Sequence, residues 1–106
     1  MGNRVSIRFI NRDNNKAPVI FSHWGGMEFV AAAQTYAYDL KIEREGSQIL
    51  PLDRLEPQTV TCDFLFNLDE YWPVGGSRIS SDIYIGIDEY DGDNGDNGHF
   101  NIDLTR

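Results

Sequence analysis

The 106-residue chain has a single cysteine, Cys62. One thiol excludes a disulfide framework within the chain and a structural zinc site built from several cysteines, and it fits a reducing, cytoplasmic setting. Long apolar runs are missing too. Nothing approaches the ~20 residues of a membrane span, and MGNRVSIRF lacks the apolar core of a secretory signal, so no membrane association is expected. Gly2 and Ser6 fit the short myristoylation pattern, but one acyl chain anchors weakly and no basic cluster adds a second signal. Positive charge is scarce: 9 Lys and Arg stand against 17 Asp and Glu, for a net charge of -8 and a pI near 4.5. That balance argues against a broad basic face that binds nucleic acid directly. The sequence also has no H-E-x-x-H, no serine nucleophile elbow and no paired-carboxylate motif, and does not read as an enzyme.

What is present is enough for a packed core. Hydrophobic residues make up 41% of the chain and aromatics 12%, and the length suits one domain over residues 1–106. The charge is uneven. Asp82, Asp88, Glu89, Asp91, Asp93, Asp96 and Asp103 fall in a stretch without Lys or Arg, while Arg4, Arg8, Arg12 and Lys16 lie near the start. The excess negative charge thus sits in the C-terminal region, and the rest of the chain is nearly neutral.

Val5, Ile7 and Phe9 alternate with polar residues, as in a strand with one buried face. The cluster Asn11 to Asn15 predicts a turn, and Pro18 to Ser22 a second strand closing a hairpin. From Met27 the period becomes helical. Val30, Ala33, Ala37 and Leu40 share a face flanked by Phe29 and Tyr36, which predicts a helix over about 27–45 with Glu28 in its first turn and Gly46 as C-cap. The competing reading takes Tyr38, Leu40 and Ile42 as a strand. After a connector over Ser47 to Glu56, Pro57 opens a second helix. Val60, Phe64, Leu68 and Tyr71 recur at helical spacing, with Leu65 and Trp72 beside them, until Pro73 stops it. Ile83, Ile85 and Ile87, then Phe100, Ile102 and Leu104, alternate as two further strands. The order ββααββ predicts an α+β domain: two hairpins in one four-stranded antiparallel or mixed sheet, with both helices on one face.

Two local features carry chemistry. The first is His23-Trp24-Gly25-Gly26, where a strand turns into a helix. Free backbone N–H groups and the positive end of the helix dipole suit an anion there, with His23 as donor or general base and Trp24 as a flat wall. The alternative is a plain glycine turn, with Trp24 filling the space between helix and sheet and His23 ending a strand at the surface. FSHWGG followed by an alanine-rich helix resembles a pattern in small uncharacterised phage, prophage and archaeal mobile-element proteins. The resemblance covers residues 17–40 and departs at Met27-Glu28, where the family pattern continues with an aromatic and a proline. It implies a genomic context and no catalytic residue.

The second feature is EYDGDNGDNG, residues 89–98. Asp91, Asp93 and Asp96, with Asn94 and Asn97, offer oxygen ligands for a weak Ca2+ site. The EF-hand spacing fails, because Gly95 and Asp96 stand where that loop needs a ligand and then a glycine, and Ile102 stands where it needs a glutamate. The alternative is a solvated hairpin loop whose Gly and Asn residues supply turn conformations. Arg4, Arg8 and Arg12 project from one strand face and are expected to pair with this acidic hairpin. Cys62 falls among apolar helix positions and is expected to be a buried structural thiol. A zinc site from His23, His99 and a carboxylate has no supporting spacing.

Two functions follow as expectations. One is a small acidic binding or regulatory protein that docks a basic protein through Asp91, Asp93 and Asp96, imitating the phosphates of a nucleic acid. The other is a protein that binds, or hydrolyses, an anion or small ligand at His23, Trp24, Gly25 and Gly26.

Overall fold

A computed structural model describes residues 2–11, 17–42, 56–72 and 82–104. Expectations for the turn at 12–16, the C-cap at Gly46, the connector 47–55 and the stop at Pro73 lie outside the described residues. The elements are β1 (Val5–Ile10), β2 (Val19–Ser22), α1 (Gly26–Ile42), α2 (Pro57–Phe66), α3 (Leu68–Tyr71), β3 (Ile83–Gly86) and β4 (His99–Asp103). They form an α+β fold with one mixed four-stranded sheet.

The helical reading of 26–42 wins over the strand reading for a packing reason. Phe29, Val30, Ala33, Tyr36, Ala37 and Leu40 recur at three- and four-residue spacing and are all buried. They meet Val5, Ile7, Phe9, Ile20 and Ile102 from the sheet and Val60, Phe64 and Leu68 from the shorter helices, forming one core. Aromatic edges organise that core. The Phe9 ring lies 5.9 Å from Tyr36 and 5.3 Å from Phe64, within the range where edge-to-face pairs add to area burial.

The second helix is divided. The Asn67 backbone N–H reaches the Asp63 and Phe64 carbonyls. Its side chain also donates to the Asp63 carbonyl at 2.8 Å and to Asp63 Oδ1 at 3.1 Å. An asparagine that bonds its own helix in this way competes with the regular ladder, so α2 ends there and α3 restarts. The apolar stripe survives the break: Val60, Phe64, Leu68 and Trp72 remain buried.

The sheet corrects one expectation. The first hairpin forms, with β1 and β2 antiparallel, but β3 and β4 are not a second hairpin. The strand order is β3-β2-β1-β4. β3 pairs antiparallel with β2, and β4 pairs parallel with β1 from Ser6↔His99 to Ile10↔Asp103. The last two strands therefore occupy opposite edges. A parallel return needs a crossover of roughly a dozen residues, and the segment 87–98 supplies that length. We call it the strap. It crosses the sheet face opposite the helices. Ala17, Val19 and Phe21 are fully buried on that side although they lie outside the helical core. The Phe21 ring stacks on Tyr84 at 4.8 Å and 7°. Gly92 of the strap lies so close that a Cβ there would fall 2.6 Å from the Tyr84 ring and 2.8 Å from Phe21, so only glycine lets the backbone approach.

Among the described residues, no helix is long and apolar enough to cross a membrane.

Candidate functional site

The His-Trp-Gly-Gly turn is held by residues distant in sequence. Asp82 is 1% exposed. Its carboxylate accepts the Ser22 hydroxyl at 2.7 Å and the Trp24 N–H at 2.9 Å. Ser22 Oγ in turn accepts the Gly25 N–H at 2.8 Å. Asn3 adds two backbone bonds, receiving the Gly26 N–H and donating to the His23 carbonyl, both at 2.9 Å. The amides of Trp24, Gly25 and Gly26 are thus given to acceptors within the protein, and the anion beside the turn is Asp82 itself. Burying that carboxylate is tolerable because charge-assisted bonds replace its water. Gly26 adopts φ 56°, and a Cβ there would collide with the Asn3 side chain, which explains a glycine at the first residue of α1.

Trp24 does not fill the space between helix and sheet. It is 51% exposed. Trp72 takes the interior place, packing edge-on against Phe29 at 5.4 Å. The reason is the turn: Trp24 is pinned through its N–H to Asp82 just before the helix starts, and its ring is left at the surface. His23 is half-buried, with its ring 5.5 Å from Trp24 and 4.9 Å from Tyr84.

The strap is tied down along its length. Asp91 Oδ2 accepts the Ile87 and Asp88 amides at 2.6 and 3.2 Å, closing the first turn. Arg4 donates to Asp93 at 2.5 Å and to Asp96 at 2.9 Å. The bond to Arg4 holds the Asp96 carboxyl below the usual carboxylate range, and the Arg4 guanidinium is raised in turn, first by its bond to Asp96. The expected pairing of the first strand with the acidic segment is therefore real for Arg4. Arg8 instead donates to the backbone carbonyls of Ala17 and Ile87, and Arg12 lies outside the described residues. Deeper in, Asn94 Nδ2 donates to Ser6 Oγ at 2.8 Å. Ser6 Oγ meets His99 Nδ1 at 2.8 Å, and His99 Nε2 meets Asn101 Oδ1 at 2.9 Å. A proton on His99 Nε2 completes this chain of donors and acceptors.

Asp91, Asp93 and Asp96 do not point at a common centre. Asp91 turns back to the start of the strap, and the other two face Arg4. Among the described residues, no group of three or more His, Cys, Asp or Glu side chains is placed to hold a metal ion. Cys62 is exposed, which corrects the buried reading: the inward face of α2 is taken by Val60, Thr61 and Phe64.

Tyr84 joins the two candidate regions. Its ring packs on His23 while its hydroxyl accepts the Asp93 N–H at 2.9 Å. A second link runs from Asn97 Nδ2 to Asn3 Oδ1 at 2.7 Å. Trp24, His23, Tyr84 and Asp93 therefore form one continuous surface. Tyr84, Asp82 and Asn3 are the residues that sequence reasoning missed. Their partners lie far away in the chain, and no local spacing signals them. Comparison with protein-family models, with curated proteins and with solved structures returns no match for this chain.

Proposed function

We propose that the protein is a binding or regulatory protein that docks a basic partner on the surface made by the His-Trp turn and the second half of the acidic strap. One observation carries this reading: the His23 ring packs on both the exposed Trp24 and Tyr84, and the Tyr84 hydroxyl accepts the Asp93 N–H, so the aromatic turn and the carboxylate-bearing strap are joined on a backbone held by hydrogen bonds. An aromatic anchor ringed by polar residues is the usual energetic core of an interface, and a cationic side chain over an indole adds to it. The side chains of Asp93 and Asp96 remain 53% and 35% exposed while bound to Arg4, so a partner's lysine or arginine can compete for them.

The phage or mobile-element setting implied by the FSHWGG turn belongs with this proposal. So does a cytoplasmic setting, which suits an exposed lone thiol. A partner that ordinarily binds nucleic acid fits best, because closely spaced carboxylates imitate phosphates.

The test is an NMR titration with short lysine- and arginine-bearing peptides. The expected result is saturable shifts in the Trp24 indole and the 93–97 amides that weaken as salt rises. Shifts that are absent at millimolar peptide, or that ignore salt, overturn the reading. Trp24→Ala should abolish the shifts while leaving the unfolding midpoint nearly unchanged, since the ring is half exposed.

A further inference from the structure

The carboxylates of the proposed docking surface already hold a cation, and it belongs to the chain itself. Arg4 stands just before β1. Its Nε donates to Asp96 Oδ2 at 2.9 Å, and its Nη1 donates to Asp93 Oδ2. One planar guanidinium thus spans two carboxylates, a fit for a fork of donors that a single ammonium lacks. Asp93 Oδ1 accepts the Gly95 N–H at 2.9 Å, so Arg4 holds the second oxygen of that carboxylate. The contact lies at the surface, with the Arg4 side chain 38% exposed.

The guanidinium is not needed to place this part of the strap, because the Arg4 backbone already does so. Its N–H donates to Asp96 Oδ2 at 2.9 Å. Its carbonyl accepts the Asn97 N–H at 3.0 Å and Asn97 Nδ2 at 3.1 Å. Asn97 Nδ2 also reaches Asn3 Oδ1, and the Gly98 carbonyl accepts the Ser6 N–H. None of these bonds uses the guanidinium. An exposed ion pair adds little to stability, so the larger effect of this side chain falls on binding. A carboxylate pair that holds one guanidinium admits another only when the first leaves. The apparent affinity for an incoming cation falls by the fraction of time the pair is free.

We infer that Arg4 is an internal stand-in for an arginine of the basic partner: it occupies the Asp93–Asp96 pair in the free protein and swings out when the partner's guanidinium takes its place. The inference rests on the docking reading. It adds the class of cation, arginine rather than lysine, and a contact within the chain that restrains binding.

The test is an NMR titration of the parent chain and of Arg4→Gln with acetyl-Gly-Arg-Gly-amide and its lysine counterpart. Arg4→Gln should bind the arginine peptide about two- to fivefold more tightly than the parent, the range that an exposed ion pair spans. The Asn97 and Gly98 amides should keep their protection from exchange in that variant. In the parent chain the Arg4 Nε–H signal, identified by its loss in Arg4→Gln, should shift and exchange faster with water as the arginine peptide is added. The lysine peptide should bind several-fold more weakly. Three results overturn the inference while the Trp24 and strap shifts, and with them the docking reading, remain. They are an Arg4→Gln chain that binds no tighter, which makes Arg4 a clamp for the strap; an Arg4 signal unmoved at saturating peptide; and equal binding of the lysine peptide. If neither chain shows shifts at millimolar peptide, the docking reading falls and this inference falls with it.

Discussion

The two faces of the sheet are closed by different physics. On one, three helical segments cover Val5, Ile7, Phe9 and Ile20 with aliphatic and aromatic side chains. On the other, a strap without regular structure covers Phe21 and Ser6 with glycine, two carboxylates bound to Arg4 and a chain of polar side chains. The first face gains from area removed from water. The second buries fewer apolar side chains, Ala17, Val19 and Phe21 among them, and adds bonds between residues nearly a chain length apart. A face closed by directional polar contacts is also a face that displays charge in a fixed pattern, which is why the proposed docking surface lies there.

The sharpest contrast comes from large aromatic residues. Phe9→Ala empties a fully buried site against the Tyr36 and Phe64 rings and should cost about 3–5 kcal/mol, read from denaturant unfolding. Phe21→Ala should cost less, about 3 kcal/mol, because the strap can settle into part of the space. Its distinguishing mark is faster hydrogen exchange confined to residues 87–98. If both variants lose equal stability and the strap stays protected, the two faces do not differ as described.

Asp82→Ala tests the turn. It strips the Trp24 N–H and the Ser22 hydroxyl of their acceptor and should cost about 1–3 kcal/mol, with the Trp24 fluorescence altered. Asn94→Ala should cost about 0.5–1.5 kcal/mol, since Ser6 and His99 keep each other as partners. An Asp82→Ala variant as stable as the parent would mean that the turn holds without its internal anion.

The smallest effect is electrostatic. Asp96 is held below its ordinary value of 3.8 by Arg4. A depressed carboxylate contributes stability that is present above the unfolded value and is lost as pH falls through the folded one. Strap protection should therefore drop only on strong acidification, and Arg4→Gln should remove that pH dependence while changing the unfolding midpoint little, as expected for an exposed pair.

The helical face was legible in the sequence. The stripe from Phe29 to Leu40 and the positions Val60, Phe64 and Leu68 are periodic, and periodicity records which side faces a core. The alternation marked β3 and β4 as strands and gave the buried side of β4, where Ile102 and Leu104 are covered, but not that of β3, where Ile85 and Ile87 are exposed and Tyr84 stacks on Phe21 instead. Their pairing was not legible, because period two is blind to which neighbour a strand chooses, and the Asn-Gly steps of the strap suit a hairpin turn as well as a crossover. The candidate turn was found at its glycines, but not the distant partners that hold it. Nothing near His23 announces that Asp82 will fill the place of an anion, or that Trp72 rather than Trp24 will be the interior tryptophan. Asp93 and Asp96 were found by charge, and Arg4 was their expected partner. Tyr84, which joins the turn to the strap, carries no local mark beyond its place in an alternating strand.

The measurement that bears most directly on this account is native-state hydrogen exchange along the strap. The amides of Ile87, Asp93, Asn97 and Gly98 each have an acceptor. A preformed docking surface predicts that they are protected well beyond a free loop, with the Asp93 amide losing protection in Tyr84→Phe. Exchange of all four at the rate of an unstructured chain would contradict it, leaving the acidic segment an open loop and the Trp24 surface without its carboxylates.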